Sequence, residues 1–188
     1  MEQLRSFIWV QTAFDGVVMT MELCETYRVS PSDNQCAKLR KVFDYFQYKA
    51  PDIDSPLSSH MDDRIDQKLL VEELVSMAKV KCGNVHICDR RSFKMELKEL
   101  NLVDFSKPYI YCHKRTNEGH LTCILRHCRN ALAHGNVFVK FLRNNTQICL
   151  QDLDVDRRTG KKTASALIVI NKASLERWMK RIKECEVQ

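Results

Sequence analysis

The spacing of apolar residues changes near residue 145, and that change limits the architectures open to this chain. Upstream, apolar residues recur three and four apart, as in Leu4, Phe7, Ile8, Phe14 and Val18, or Leu39, Val42, Phe43 and Phe46. The same spacing returns in Ile65, Leu69, Leu70, Leu74 and Ala78, and again in Leu121, Ile124, Leu125, Cys128 and Leu132. It predicts amphipathic helices over the first segment to about "VSPSDN", over 34–49, over 62–81 and over 117–133, with Gly135 as a stop. "APDIDSPLSSHMDD" reads as a loop, "SFKMELKELNLV" as a possible helix, and "NVFVKFLRN" as a short helix after the fourth. Downstream, "TQICLQDLDV" and "TASALIVI" flank a basic turn at Gly160 and read as two antiparallel strands. "SLERWMKRI" then returns to helical spacing through Leu175, Trp178, Met179 and Ile182. Four long helices suffice for a bundle, so the expected fold is mainly α: a helical bundle with a C-terminal β-hairpin and a terminal helix. With 188 residues, four prolines and five glycines, a single domain over 1–188 is expected.

Charge narrows the partners. The net charge is +6, and no Asp or Glu occurs from Gly119 to Gln151, where Arg126, Arg129, Lys140 and Arg143 lie. Arg157, Arg158, Lys161 and Lys162 surround Gly160, and Arg177, Lys180, Arg181 and Lys183 line the tail helix. This distribution suits a polyanion such as RNA. Nine cysteines, an odd number without an apolar leader, imply reduced thiols and a cytoplasmic location. No apolar run reaches membrane-spanning length, since Gln11 and Asp15 interrupt "FIWVQTAFDGVVMTMEL".

"HCRNALAHGN", residues 127–136, lies inside the acid-free interval. Asn130 and His134 are one helical turn apart, whereas Arg129 and His134 are five residues apart, about 140° around a helix. A second copy of the helix facing the first would complete a compact site, so a homodimer is expected. Arginine can hold a phosphodiester, and histidine can exchange a proton near neutrality. A site that uses RNA's own 2′-hydroxyl needs no metal or cofactor. The spacing leaves a second reading open, in which His134 caps the helix end and Arg129 is a surface ion-pair partner. His120, Cys123, His127 and Cys128 have zinc-ligand chemistry but lack paired ligands on a turn, and Cys82 and Cys88 in "CGNVHIC" are too widely spaced; buried thiols are expected instead. His127 is expected to be structural or exposed. Asp152, Asp154 and Asp156 begin like a calcium loop, but Arg157 and Thr163 stand where Gly and Glu are needed, so they are expected on the wet face of a strand.

"LRHCRNALAHGN" resembles the signature of the HEPN superfamily: an arginine, a polar residue, a few variable positions and a histidine. The resemblance extends over 117–183, through "ICLQDLD", "ALIVI" and "LERWMKRI", and is strongest to compact bacterial and plasmid-borne members. It implies an all-helical fold and a metal-independent endoribonuclease that cleaves RNA by transesterification at a homodimeric site. It further implies a toxin or phage-defence effector, with an antitoxin or regulatory protein as a partner. By resemblance Arg129 would hold the scissile phosphate, Asn130 would support the site, and His134 would be the general acid or base. Arg126, Lys140 and Arg143 would bind RNA. The alternative is a non-catalytic HEPN-like module that binds RNA, a nucleotide or a protein.

Overall fold

A computed structural model describes residues 9–14, 17–22, 27–29, 37–93, 107–142, 145–155, 158–160 and 162–187, with side chains from residue 37 onward except Phe141 and Leu142. The architecture is mixed. A six-stranded sheet in the order β3-β6-β7-β8-β5-β4 forms its middle, made of β3 (Tyr27–Val29), β4 (Val85–Cys88), β5 (Tyr109–His113), β6 (Val137–Leu142), β7 (Asn145–Val155) and β8 (Lys162–Asn171). All neighbours are antiparallel except β4 and β5. A separate hairpin, β1 (Trp9–Phe14) with β2 (Val17–Glu22), lies with β1 against β8. The helices are α1 (Arg40–Asp44), continuing as a π-helical turn over Tyr45–Lys49, then α2 (Gln67–Met77), α3 (His120–Ala133) and α4 (Lys172–Lys183).

This sheet overturns the expected HEPN-like helical bundle. The late hairpin exists, but β7 and β8 are central strands of a larger sheet rather than an appendage to helices. "NVFVKFLRN" is not a helix: Val137 and Val139 face the helices, while Phe138 faces the opposite layer. Such a short apolar run fits either periodicity, and β6 is settled by its full register with β7, from Val137↔Leu150 to Leu142↔Asn145. The expected first helix is likewise replaced by β1 and β2, whose register pairs Phe14 with Val17. The two intervening positions in the sequence are Asp15 and Gly16, a dipeptide that favours tight hairpin turns. Strands β4 and β5 had no helical or alternating signature to announce them. Most of "SFKMELKELNLV" lies outside the described residues.

Alternation on the sheet builds two apolar layers. Ile110, Cys112, Val137, Val139, Ile148, Leu150, Ala166, Ile168 and Ile170 meet the helices. Tyr109, Tyr111, Phe138, Cys149, Leu167 and Val169 form the other face with Phe93. Helix α2 is shorter than its periodic stretch because Asp66 caps it, accepting from the Lys68 and Leu69 amides at 2.9 and 3.2 Å. Leu69 is exposed, contrary to its place on the predicted apolar stripe, while Leu70 and Leu74 are buried. Trp178 fixes α4 to α2: it is fully buried, and its indole N–H donates to the Leu74 carbonyl at 2.7 Å. Among the described residues no helix is long and apolar enough to cross a membrane.

Trp178→Ala removes a large buried side chain and the donor to Leu74 together. Equilibrium urea denaturation is expected to show a loss of about 3–5 kcal/mol.

Candidate functional site

Helix α3 carries the arginine-histidine motif across the sheet, in contact with β7 and β5. Its apolar stripe, Leu121, Ile124, Leu125, Cys128, Ala131 and Leu132, is buried. The helix ends at His134, with three bonds that satisfy its final carbonyls. The amide of His134 donates to the Asn130 carbonyl at 2.9 Å, that of Gly135 to Leu132 at 3.2 Å, and that of Asn136 to Ala131 at 2.9 Å. The last two bonds form a Schellman stop, which requires the left-handed backbone that Gly135 supplies at φ 63°. Much of "RNALAHG" is therefore occupied in packing and ending a helix.

The polar centre of this region is His127. Its side chain is buried, and both ring nitrogens face acceptors: Nδ1 lies 2.7 Å from Asp152 Oδ2 on β7, and Nε2 lies 2.9 Å from the His113 carbonyl on β5. Two acceptors require two ring protons, so the imidazole is a cation. Burial pulls its pKa down, but the Asp152 hydrogen bond and then Cys123 outweigh this and raise it to about 9. For Asp152, burial pulls upward, while the bond to His127 and the Asn130 amide at 3.1 Å hold its carboxyl below the ordinary value. The neighbouring Arg126 grips Glu118 with two bonds, Nε to Oε1 at 2.6 Å and Nη2 to Oε2 at 2.8 Å, and donates to the His113 carbonyl at 3.0 Å. Burial opposes ionisation of Glu118, yet Arg126 and the Arg115 amide depress its pKa to about 2. The arrangement is a buried clasp of paired charges that fastens α3 to two strands.

The residues singled out by the motif are not gathered into one group. Asn130 belongs to the clasp. Arg129 is half-buried and donates from Nη2 to the Asp54 carbonyl at 2.8 Å. His134 is exposed at the helix end. Arg126 is committed to Glu118, with its side chain 15% exposed. Lys140 is half-buried on β6, and Arg143 lies outside the described residues. Among the described residues no group of three His, Cys, Asp or Glu side chains could hold a metal.

Asp152 is the member that the sequence reading placed elsewhere, on the wet face of a strand. Its alternation with Ile148 and Leu150, both facing the helices, puts it on the inner face. The β7–β8 register then slips between Asp152 and Leu153, leaving Ser165 as the extra residue. Ser165 is buried, and its hydroxyl has no partner among the described residues.

Comparison of the chain with protein-family models, curated proteins and solved structures returns no match. The likeness to the HEPN superfamily is thus confined to a short stretch of sequence. The sheet-centred fold and the absence of a family match overturn that assignment, and with it the endoribonuclease, toxin and defence-effector roles and the HEPN-like binding module.

The clasp predicts a signed pH dependence. Because His127 has a pKa raised above its ordinary 6.5, its contribution is full below about pH 6.5 and is lost as pH rises through about 9. Asp152 has a lowered pKa, so its contribution holds above the ordinary 3.8 and is lost as pH falls through the depressed value. The Cys123 thiol, lowered from 9 to about 6, acts with the opposite sign over the same interval, so the decline in urea midpoints between pH 6.5 and 9 is expected in Cys123→Ala, where His127 titrates without it. In that background Asp152→Asn is expected to cost about 3 kcal/mol or more and to abolish or reverse that alkaline decline, since burial alone favours neutral His127.

Proposed function

We propose that the chain is an RNA-binding domain without nuclease chemistry, in which the phosphate backbone lies along the face shared by α1 and α4. The observation that carries this reading is the exposure of Lys38, Lys41 and Lys49 on and beside α1, and of Arg177, Lys180 and Lys183 on α4. The two elements are neighbours: the Lys183 ammonium stands 5.0 Å over the Tyr45 ring. Three nearby acids have partners, while Asp44, at the end of α1, is half-buried. Glu176 faces Lys172 at 3.5 Å, Glu184 faces Arg181 at 3.7 Å, and Glu186 accepts from the Tyr45 hydroxyl. The exposed cations on this face therefore keep a positive field toward solvent, which attracts a phosphate chain irrespective of its sequence. A cytoplasmic site of action accords with the free thiols.

Fluorescence anisotropy with a labelled single-stranded RNA oligomer tests the proposal. Affinity is expected to fall at least tenfold between about 50 and 200 mM monovalent salt, with the RNA recovered uncut. The double variant Lys41→Glu, Lys180→Glu, which leaves the Lys183–Tyr45 contact in place, is expected to bind at least tenfold more weakly while keeping the parent's circular dichroism spectrum. Binding that ignores salt and this charge reversal would overturn the reading.

A further inference from the structure

Tyr48 is the one Phe, Tyr or Trp among the described side chains that the interior does not take up. It is 42% exposed, whereas all the others are buried. The backbone at this point accounts for it. In an unbroken α-helix Lys49, seven residues after Val42 and three after Phe46, would turn inward with them. Tyr45–Lys49 instead forms a π-helical turn, closed by the Ala50 amide donating to the Tyr45 carbonyl at 2.9 Å. The extra residue in this wider turn brings Ala50 into the core and leaves Tyr48 and Lys49 exposed. Such turns are rare and frequently mark functional sites. Tyr45, three residues before Tyr48, lies under the Lys183 ammonium of α4, so the turn belongs to the basic face. An exposed aromatic ring thus stands next to Lys49 in the chain and one short helix away from exposed Lys41.

We propose that Tyr48 is a stacking platform for an unpaired base, through which the basic face selects single-stranded RNA over duplex. This role rests on the RNA-binding reading and adds the part of the ligand that phosphate attraction alone does not distinguish. Lys41, Lys49 and Lys183 draw in the phosphate chain, and the Tyr48 ring offers an apolar surface to a base carried by that chain. In a single strand a base can turn out and lie against the phenol ring. In a duplex each internal base is covered on both faces by its neighbours, and an A-form helix presents mainly its backbone and its shallow minor groove. Stacking uses the π-face common to every base, so the platform selects an unpaired base without selecting which one. The ring carries this role, and the phenolic hydroxyl is not required for it.

The test measures fluorescence anisotropy of the full chain with a labelled single-stranded RNA, the same strand annealed to its complement, and an abasic strand of the same length. Tyr48→Ala is expected to weaken binding of the single strand about fivefold or more, and to change binding of the duplex and the abasic strand by less than about twofold. Its salt dependence is expected to match the parent's, because the same phosphates are contacted. Tyr48→Phe, which keeps the ring, is expected to bind all three ligands like the parent. The charge-reversed variant Lys41→Glu, Lys180→Glu is expected to weaken all three alike. Tyr48→Ala that binds the single strand like the parent, that loses the duplex or the abasic strand to the same extent, or that is matched in weakness by Tyr48→Phe would overturn the platform and leave the RNA-binding reading standing. A parent chain that binds none of the three in a salt-dependent way would overturn both.

Discussion

The imidazolium of His127 is the point on which the arrangement of α3 over the sheet depends. Its two N–H groups end on two different strands, a carboxylate on β7 and a main-chain carbonyl on β5. A buried cation without both partners would be costly, so the bonds constrain three elements at once. Arg126 reinforces the constraint by donating to the same His113 carbonyl while pairing with Glu118 at the start of the helix. The registry of α3 over β5 and β7 is therefore set by directed charges as well as by apolar packing, which alone has no direction.

That clasp changes how the motif is read. Within "HCRNALAHGN", His127 and Asn130 converge on Asp152, Ala131 and Leu132 enter the core, and Gly135 provides the left-handed turn that ends the helix. Arg129 ties the helix to the loop carbonyl of Asp54, and His134 lies at the surface. Fold-building thus accounts for most of the spacing that resembles a ribonuclease signature. A short pattern of reactive residue types carries chemistry only in a matching tertiary setting, and here that setting is a mixed sheet with α1 to α4 packed on one face.

The clasp also separates two kinds of cation. Arg126 and His127 sit in the interior, each facing an anion, and contribute little field outside the protein. The exposed lysines of α1 and α4 do the reverse, because among the described residues none of them pairs with a buried carboxylate. Net charge counts the two classes alike, although only the second attracts a polyanion from solution. The interior cations act instead on what lies against them, including the Cys123 sulfur.

Much of the C-terminal half was legible because local periodicity and local packing agree there. The stripe of α3, the Gly135 stop, the β-branched and leucine content of β7 and β8 and the apolar face around Trp178 can each be read from neighbouring residues. The β1–β2 hairpin, β4, β5 and β6 were not, because a short β-branched or aromatic run satisfies a helix and a strand about equally until a partner strand supplies hydrogen bonds. Asp152 shows the same division at one residue. Sequence alone determined a carboxylate in an alternating strand, whereas tertiary structure decided which face was inward and placed His127 opposite it. The physical reason is range: periodicity is a property of adjacent residues, but the pairing of a buried charge is decided by residues 25 positions apart that only the fold brings together.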